Sequence, residues 1–331
     1  MPVSVRSFAK INVGLAIGAK RDDGFHELRT IYQTIALHDI IRVEVSRGSG
    51  IEIRCKDGRV PGDETNTCWR IAERVMRALK QRGKVVINIE KKLPVQGGIG
   101  GGSSNAVATL FALERVLRME LPARERLRIA AEVGSDLPLF LVGGTVLGCG
   151  RGEEVYPLPD LPSIACVVAT PEIGVSTPEA FRRWDEFRSQ ESKLTPRASS
   201  TIIGEFSRSA FEWLNGTLSG VPAVPGEQVA NGQVSGDRAE TLLLDLVRAG
   251  IENDFERVVF PVHPELREVK RLLERNNSSY ASLSGSGATL YGLYKKPEQS
   301  EEAAKALRKA GISAEATVTL GRGRYLEQRF V

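Results

Sequence analysis

Three groups of residues carry chemistry by type and spacing. The first is Pro94 to Ala106, P-V-Q-G-G-I-G-G-G-S-S-N-A, where Gly97, Gly98, Gly100, Gly101 and Gly102 precede Ser103, Ser104 and Asn105. The others are Lys10, between apolar Ala9 and Ile11, and Asp136, in G-S-D-L-P-L-F between Gly134 and Pro138. Glycine permits positive φ and lets a bulky anion approach the peptide N–H groups. A helix N-terminus adds free N–H donors and the positive end of its dipole. The run therefore reads as a phosphate cradle, with the phosphate expected at Ser103, Ser104 and Asn105. An ordinary strand-to-helix turn with a Ser cap needs one or two glycines, and five within six positions exceed that need. No Lys follows them, so G-x-x-x-x-G-K-[ST] is absent. G-x-G-x-x-G placed on Gly98 and Gly100 would require glycine at Ser103, which excludes the dinucleotide fingerprint of an oxidoreductase.

Phosphoryl transfer to an alcohol needs an activated or oriented hydroxyl, and cations that spread the charge of the transferring group. Asp136 as base and Lys10 as its cationic partner supply both, and a nearby cation keeps the carboxylate ionised. Each also has a structural reading, Lys10 as a surface residue and Asp136 as a helix cap. Their separation along the chain does not decide whether they meet.

The elements that position these residues follow from periodicity. Lys84 to Glu90, K-V-V-I-N-I-E, is β-branched and strand-like, and Ala106 to Met119 has apolar residues at helical spacing, so the glycine run joins a strand to a helix. Val3 to Phe8 reads as an edge strand, and Ala9 to Ala19 as a second, apolar one. Arg21 to Gly24 is a turn, and strands follow at Phe25 to Leu37, Ile40 to Val45 and Ile51 to Cys55. Asn66 or Thr67 caps a helix to about Arg82, and another helix spans Ala123 to Val133. Gly134 to Pro138 breaks the pattern before a strand at Leu141 to Leu147. A second half begins with a strand at Ser163 to Thr170 and a helix capped by Ser176 or Thr177. Residues 188–238 are rich in Ser, Gly, Pro, Gln and Asn and read as a low-order insertion, with a short helix at Ile202 to Leu214. Order returns at Ala239. A helix from Pro264 to Asn276, a strand–turn–strand at Tyr280 to Tyr294, a helix at Glu301 to Ala310 and a strand at Ile312 to Leu320 complete an α+β pattern. The expected domains are 1–158 and 159–331.

The chain has 331 residues, 41% hydrophobic and 26% charged, with a net charge of +4, ordinary for a soluble globular protein. Lys and Arg are spread without a block, which argues weakly against nucleic acid and suits an anionic small molecule. Cys55, Cys68, Cys149 and Cys166 form no C-x-x-C pair and three histidines are scattered, so no metal cluster is expected. No signal-like or membrane-length apolar run is present, and a cytoplasmic protein is expected, a monomer or weak homodimer.

The order of A-K-I-N, the glycine loop and S-G-S-G-A-T (Ser284 to Thr289) resembles the superfamily of kinases that phosphorylate galactose, homoserine, mevalonate and phosphomevalonate. The narrower cues S-F-A-K-I-N-V-G-L, R-x-D-G-F-H-E-L and G-S-D-L-P-L-F resemble the branch acting on diphosphocytidyl-methylerythritol in the non-mevalonate isoprenoid route. The likeness covers about residues 3–187 and 239–320. It implies an α+β, two-domain kinase fold: a ribosomal-protein-S5-domain-2-like N-terminal half and a ferredoxin-like α/β sandwich, with the site in the cleft between them. It implies Lys10 and Asp136 as the catalytic pair, and ATP with Mg²⁺ as cofactors. Pro94, Val95, Gln96, Gly97, Gly98, Ile99, Gly100, Gly101, Gly102, Ser103 and Ser104 would wrap the ATP phosphates, with Asn66 near the adenine. His26 would hydrogen-bond cytosine, Phe25 and Phe181 would sandwich it, and Asn12 and Thr177 would line the substrate pocket. The Ser284 to Thr289 turn either touches ligand or buttresses the glycine loop. Phe25 stands where the family usually has Tyr, Gln96 where a small residue is common, and the insertion after Phe187 lies near the expected cytidine site. The rival readings are another acceptor on the same fold, such as homoserine or a mevalonate derivative, and a non-catalytic nucleotide-binding protein.

Overall fold

The computed structural model describes residues 1–95, 97–194, 204, 207, 208, 245 and 250–331. Gln96, most of the expected insertion with its Ile202 to Leu214 helix, and most of the run from Ala239 lie outside the described residues.

One long hairpin organises the first half. Strand β1 (Val3–Lys20) and strand β2 (His26–Ser46) pair antiparallel along nearly their whole length around the Arg21–Gly24 turn. Gly24 takes φ +84° there. Two strands expected on each side of that turn are thus single strands. The irregularity that looked like a break is a register shift between Phe8 and Lys10, a bulge that leaves Ala9 outside the pairing. The other edge of β2 is shared. Its C-terminal part pairs with β4 (Lys84–Glu90), which in turn pairs parallel with β3 (Ile51–Cys55). Its N-terminal part pairs with β5 (Thr145–Cys149), followed by β6 (Glu154–Pro157).

Helices α1 (Thr67–Ala78), α2 (Gly101–Leu117), α3 (Ala123–Val133) and α4 (Leu137–Val142) bury their apolar faces on this sheet, with Ile71, Val75, Leu110, Leu113 and Phe140 in one core with Val43 and Ile87. Helix α1 is shorter than expected, because Lys80 adopts a left-handed φ of 54°. The expected Leu141 to Leu147 strand is corrected too. Pro138, tolerated in a first turn because no N–H is needed there, is the second residue of α4, and the strand begins only at Thr145.

The second sheet has the order β10-β7-β9-β8, all antiparallel: β7 (Ala165–Ala169), β8 (Tyr280–Leu283), β9 (Leu290–Tyr294) and β10 (Ala314–Val318). Helices α5 (Thr177–Leu194), α6 (Glu256–Val259), α7 (Pro264–Arg275) and α8 (Pro297–Lys309) accompany it. Trp184, Phe255, Leu266 and Leu307 pack in its core. Helix α5 continues to Leu194, past the expected start of the insertion. The halves share a third core, where Ala9, Ile11 and Val13 of β1 meet Cys166, Val168, Tyr291 and Leu293. β1 is therefore covered on both faces, which explains its unbroken run of buried residues from Ser7 to Gly18. A closing helix α9 (Arg322–Glu327), not foreseen from sequence, returns to the first half, where Tyr325 donates to the Phe140 carbonyl at 2.5 Å. Among the described residues no helix is long and apolar enough to cross a membrane.

Candidate active site

The glycine run bridges β4 and α2, and its base is held by Asp39. This fully buried carboxylate accepts from the Lys91 ammonium and from the Lys92 and Leu93 N–H groups, each at 2.7 Å. Helix α2 starts at Gly101, earlier than the apolar spacing indicated, with Gly100 left-handed at φ 72° and making no side-chain cap. Its first-turn N–H groups have no partners within the helix. The donors for an anion are therefore Gly101, Gly102 and Ser103. Ser104 sits behind the cradle: its N–H bonds to the Gly100 carbonyl at 2.8 Å, and its hydroxyl shares a hydrogen bond with the Ser7 hydroxyl, which donates to Asn105 Oδ1.

The loop also lies against the β8–β9 turn with no space for side chains. A Cβ on Gly98, at φ +80°, would fall 2.4 Å from the Ser284 carbonyl oxygen, and one on Gly287 2.9 Å from Gly98 N. The Thr289 N–H donates to the Gly97 carbonyl at 3.2 Å, and the Ser284 hydroxyl to that of Gly98 at 3.2 Å. The S-G-S-G-A-T turn is thus a buttress, while Gly285 and Ser286 also line the cavity in front of the loop.

Lys10 and Asp136 meet across this cavity, of about 620 Å³. Lys10 is 3% exposed, which removes the surface reading. Its ammonium lies 3.6 Å from Asp136 Oδ2 and donates to Asn12 Oδ1 at 2.6 Å and to the Gly98 carbonyl at 2.8 Å. Burial lowers its pKa from the ordinary lysine value, and the Asp136 charge opposes that shift. Asp136 precedes α4 in the capping position, yet its carboxylate makes no capping bond. It faces Lys10 and accepts from the Tyr32 hydroxyl at 3.2 Å. Burial, aided by Asp136, pushes the Tyr32 phenol well above its ordinary value, so it stays a neutral donor. Asn12 is oriented in turn by donating to the Thr30 hydroxyl at 2.7 Å, which donates to the Gly14 carbonyl.

The far side of the cavity is aromatic. Phe25 is 51% exposed, with the Arg151 guanidinium 5.0 Å from its centroid. His26 is buried, stacked on Phe181 at 4.9 Å and 11°, and its Nε2 lies 2.7 Å from Asp185 Oδ1. Phe255 packs edge-on against Phe181. Phe25 and Phe181, the expected sandwich pair, both line the cavity, and His26 occupies one face of Phe181. Thr177 reaches the cavity and shares a 2.7 Å hydrogen bond with the Ser286 hydroxyl. Asn66 also lines it, but its amide caps α1 at Cys68 N and donates to the Pro61 carbonyl. Pro94, Val95 and the loop glycines of the expected set line the cavity, whereas Ile99 is buried in the shared core.

Sequence reading missed Tyr32, Asp39, Arg151 and Asp185. Asp185 had a signal, because Thr177, Phe181 and Asp185 recur every four residues along α5 and so share a face. Tyr32 and Arg151 had none. They reach the site only through the β1–β2 pairing and the β5–β6 turn.

A backbone anion cradle opening on a buried lysine paired with a half-buried carboxylate, within an α+β fold of two sheets, defines a small-molecule kinase. The family models agree: residues 66–144 match "GHMP kinases N terminal domain" and 239–313 match "GHMP kinases C terminal". The chain is 38% identical to the 4-diphosphocytidyl-2-C-methyl-D-erythritol kinase of Solibacter usitatus (strain Ellin6076) over 88% of its own length and 81% of the relative's. It is 34% identical to the enzyme of that name from Desulfitobacterium hafniense (strain Y51) over 97% of each. A crystal structure of 4-(cytidine 5'-diphospho)-2C-methyl-D-erythritol kinase superposes with TM-score 0.69 at 30% identity, covering 96% of this chain and 99% of that one. A Cytophaga hutchinsonii homoserine kinase, at 18% identity and TM-score 0.63 over 98% and 96%, shares the fold. The chain belongs to the 4-diphosphocytidyl-2-C-methyl-D-erythritol kinase family of the GHMP kinases, and is an ATP-dependent phosphotransferase.

Proposed function

We propose that this kinase transfers the γ-phosphoryl group of ATP to the 2-hydroxyl of 4-diphosphocytidyl-2-C-methyl-D-erythritol, releasing ADP and the 2-phosphate. The observation that carries the mechanism is the Asp136 carboxylate, which sits in a capping position without capping and turns to Lys10 and Tyr32. Asp136 takes the hydroxyl proton as the acceptor oxygen bonds to phosphorus and the bond from phosphorus to the ADP oxygen breaks. Lys10 holds Asp136 in place and faces the transferring group with positive charge. Gly97 to Ser103 cradle the phosphates, backed by Ser104, while Asn66 borders the adenine. Asn12, Thr177 and His26 line the acceptor side. Phe25 supplies the exposed face on which cytosine stacks, with Phe181 held behind His26.

Mg²⁺, when bound, neutralises charge on the phosphate oxygens. Among the described residues no three His, Cys, Asp or Glu converge. An ion there would be held mainly by phosphates and water, and the Ser103 hydroxyl, which lines the cavity at the cradle, would be this chain's candidate ligand. The two sheets support a domain boundary near residue 158, and the reading includes a cytoplasmic setting.

ADP release with Mg-ATP and the diphosphocytidyl acceptor tests the assignment, with homoserine and mevalonate as competing acceptors. Turnover restricted to the diphosphocytidyl acceptor is expected. Turnover with homoserine or mevalonate alone would leave a kinase with a different substrate.

A further inference from the structure

The proposed acceptor places two demands on the cavity. Its pyrimidine must reach the aromatic side at Phe25, and its reacting hydroxyl must reach Asp136. The diphosphate that joins these ends carries two negative charges and has to lie between them. Burying such a linker without a cation is costly, so the wall between the two ends should hold one.

Among the described residues, the cations lining the cavity are Lys10, Arg59, Lys91 and Arg151. Lys10 is engaged at the reacting end by Asn12, the Gly98 carbonyl and Asp136. Lys91 is paired with Asp39 at the base of the glycine loop. Arg59 is held by both oxygens of Asp57, on the loop that runs to Pro61 beside Asn66. Arg151 alone of the four touches the aromatic side.

Its setting fits the task. Arg151 lies in the β5–β6 turn between Gly150 and Gly152, both at positive φ. The Gly150 carbonyl accepts from Leu28 N at 2.7 Å, which ties the turn to β2. A Cβ on Gly152 would lie 2.5 Å from the Tyr32 hydroxyl and 4.0 Å from Asp136 Oδ1, so the turn's backbone abuts the acid. The side chain runs the other way, to the face of Phe25. The turn therefore reaches the acid through the Gly152 backbone and the aromatic ring through the Arg151 side chain. Glu153 fixes its orientation, accepting from Arg151 N at 2.7 Å and from Nε at 3.0 Å. The two Nη groups carry no further hydrogen bond among the described residues, and the side chain is 30% exposed. A guanidinium held by one edge, with its other edge turned to a cavity, is suited to phosphate oxygens.

We propose that Arg151 is a specificity-determining residue that binds the diphosphate linker of the acceptor, and so distinguishes a nucleoside-diphosphate-linked alcohol from a free one. This rests on the acceptor assignment above. Arg151 takes no part in the proton or phosphoryl transfer.

The test measures the binding of cytidine 5'-diphosphate and of cytidine to wild type, Arg151→Gln and Arg151→Lys by titration calorimetry, with thermal unfolding as a check on folding. Kinetics with the full acceptor accompany it. In Arg151→Gln, affinity for cytidine diphosphate should fall about tenfold or more while cytidine changes less than about twofold. KM for the acceptor should rise in step, with kcat and the KM for ATP little changed. Arg151→Lys keeps the charge without the two-pronged geometry and should fall between. Equal losses for cytidine and cytidine diphosphate would overturn the proposal in favour of support to Phe25, and unchanged affinities would overturn it outright. If wild type binds neither compound and turns over another alcohol, the acceptor assignment itself fails, a result the variants cannot mimic. Should Arg151→Gln not fold, the Arg151→Lys ratio alone decides.

Discussion

The two walls of the cavity are built differently. On the phosphate side, backbone meets backbone: Gly98 lies against the Ser284 carbonyl and Gly287 against Gly97 and Gly98, and a Cβ on Gly98 or on Gly287 would collide. On the acceptor side, side chains form the wall: Tyr32, Phe25, His26, Arg151 and Phe181 come from β2, the β1–β2 and β5–β6 turns and α5. A phosphate is the same in every nucleotide, so a fixed array of N–H groups serves it. The acceptor is particular, and a wall of exchangeable side chains can be altered without disturbing the cradle. The shared fold of homoserine and mevalonate kinases at low identity fits that division.

Four outcomes would break or sharpen this contrast, in order of expected effect. Asp136→Asn should lower kcat by about 10³-fold, within the range for losing a general base, while ATP still binds; ADP release and nucleotide titration check it. A variant equal to wild type would reduce Asp136 to a structural residue. Gly98→Ala meets both a positive φ and the Ser284 carbonyl, and should raise the KM for ATP about tenfold or more, with a stability loss on the order of 3 kcal/mol. Unchanged ATP kinetics and unfolding would show that the phosphate wall yields.

The third concerns Asp254, whose carboxylate accepts from Ile17 N at 2.8 Å beside Phe255, the support of Phe181. Burial pushes its carboxyl up to about 6 from an ordinary 3.8, despite that bond and Arg257 nearby. A raised carboxyl binds a proton more readily in the fold than in the unfolded chain. The stability it contributes is therefore fully present below 3.8 and lost as pH rises through about 6, a change on the order of 3 kcal/mol. Asp254→Asn keeps an acceptor for Ile17 and should flatten that slope; unfolding midpoints across this pH window read it. An unaltered slope would exclude Asp254 as its source. The smallest effect is expected for Tyr32→Phe, which removes one donor to Asp136. A fall in kcat of about fivefold with the KM for the acceptor unchanged is expected. A rise in KM with kcat unchanged would make Tyr32 a binding contact instead.

The phosphate side was largely legible in the sequence because its determinants are local. Five neighbouring glycines between a β-branched run and an apolar helix define a cradle whatever surrounds it. The helix start was misplaced because glycine contributes no periodic signal, so α2 read as beginning at Ala106 when its first turn is Gly101 to Ser104. Phe25 and His26 were noticed through resemblance, but the stacking of His26 on Phe181 and its bond to Asp185 join residues more than 150 positions apart.

By itself, then, the sequence determined the glycine cradle, most of the strands and helices, and the types of the two residues able to move a proton and steady a charge. Only the tertiary structure decided that Lys10 and Asp136 meet, because that contact depends on a bulge in β1, on a carboxylate released from capping α4, and on the packing of both against β2. Only it brought Tyr32 and Arg151 to the site. Local patterns follow from backbone preference and periodicity, whereas a side chain's partner across a cavity follows from how sheets and helices pack, which spacing along the chain does not encode.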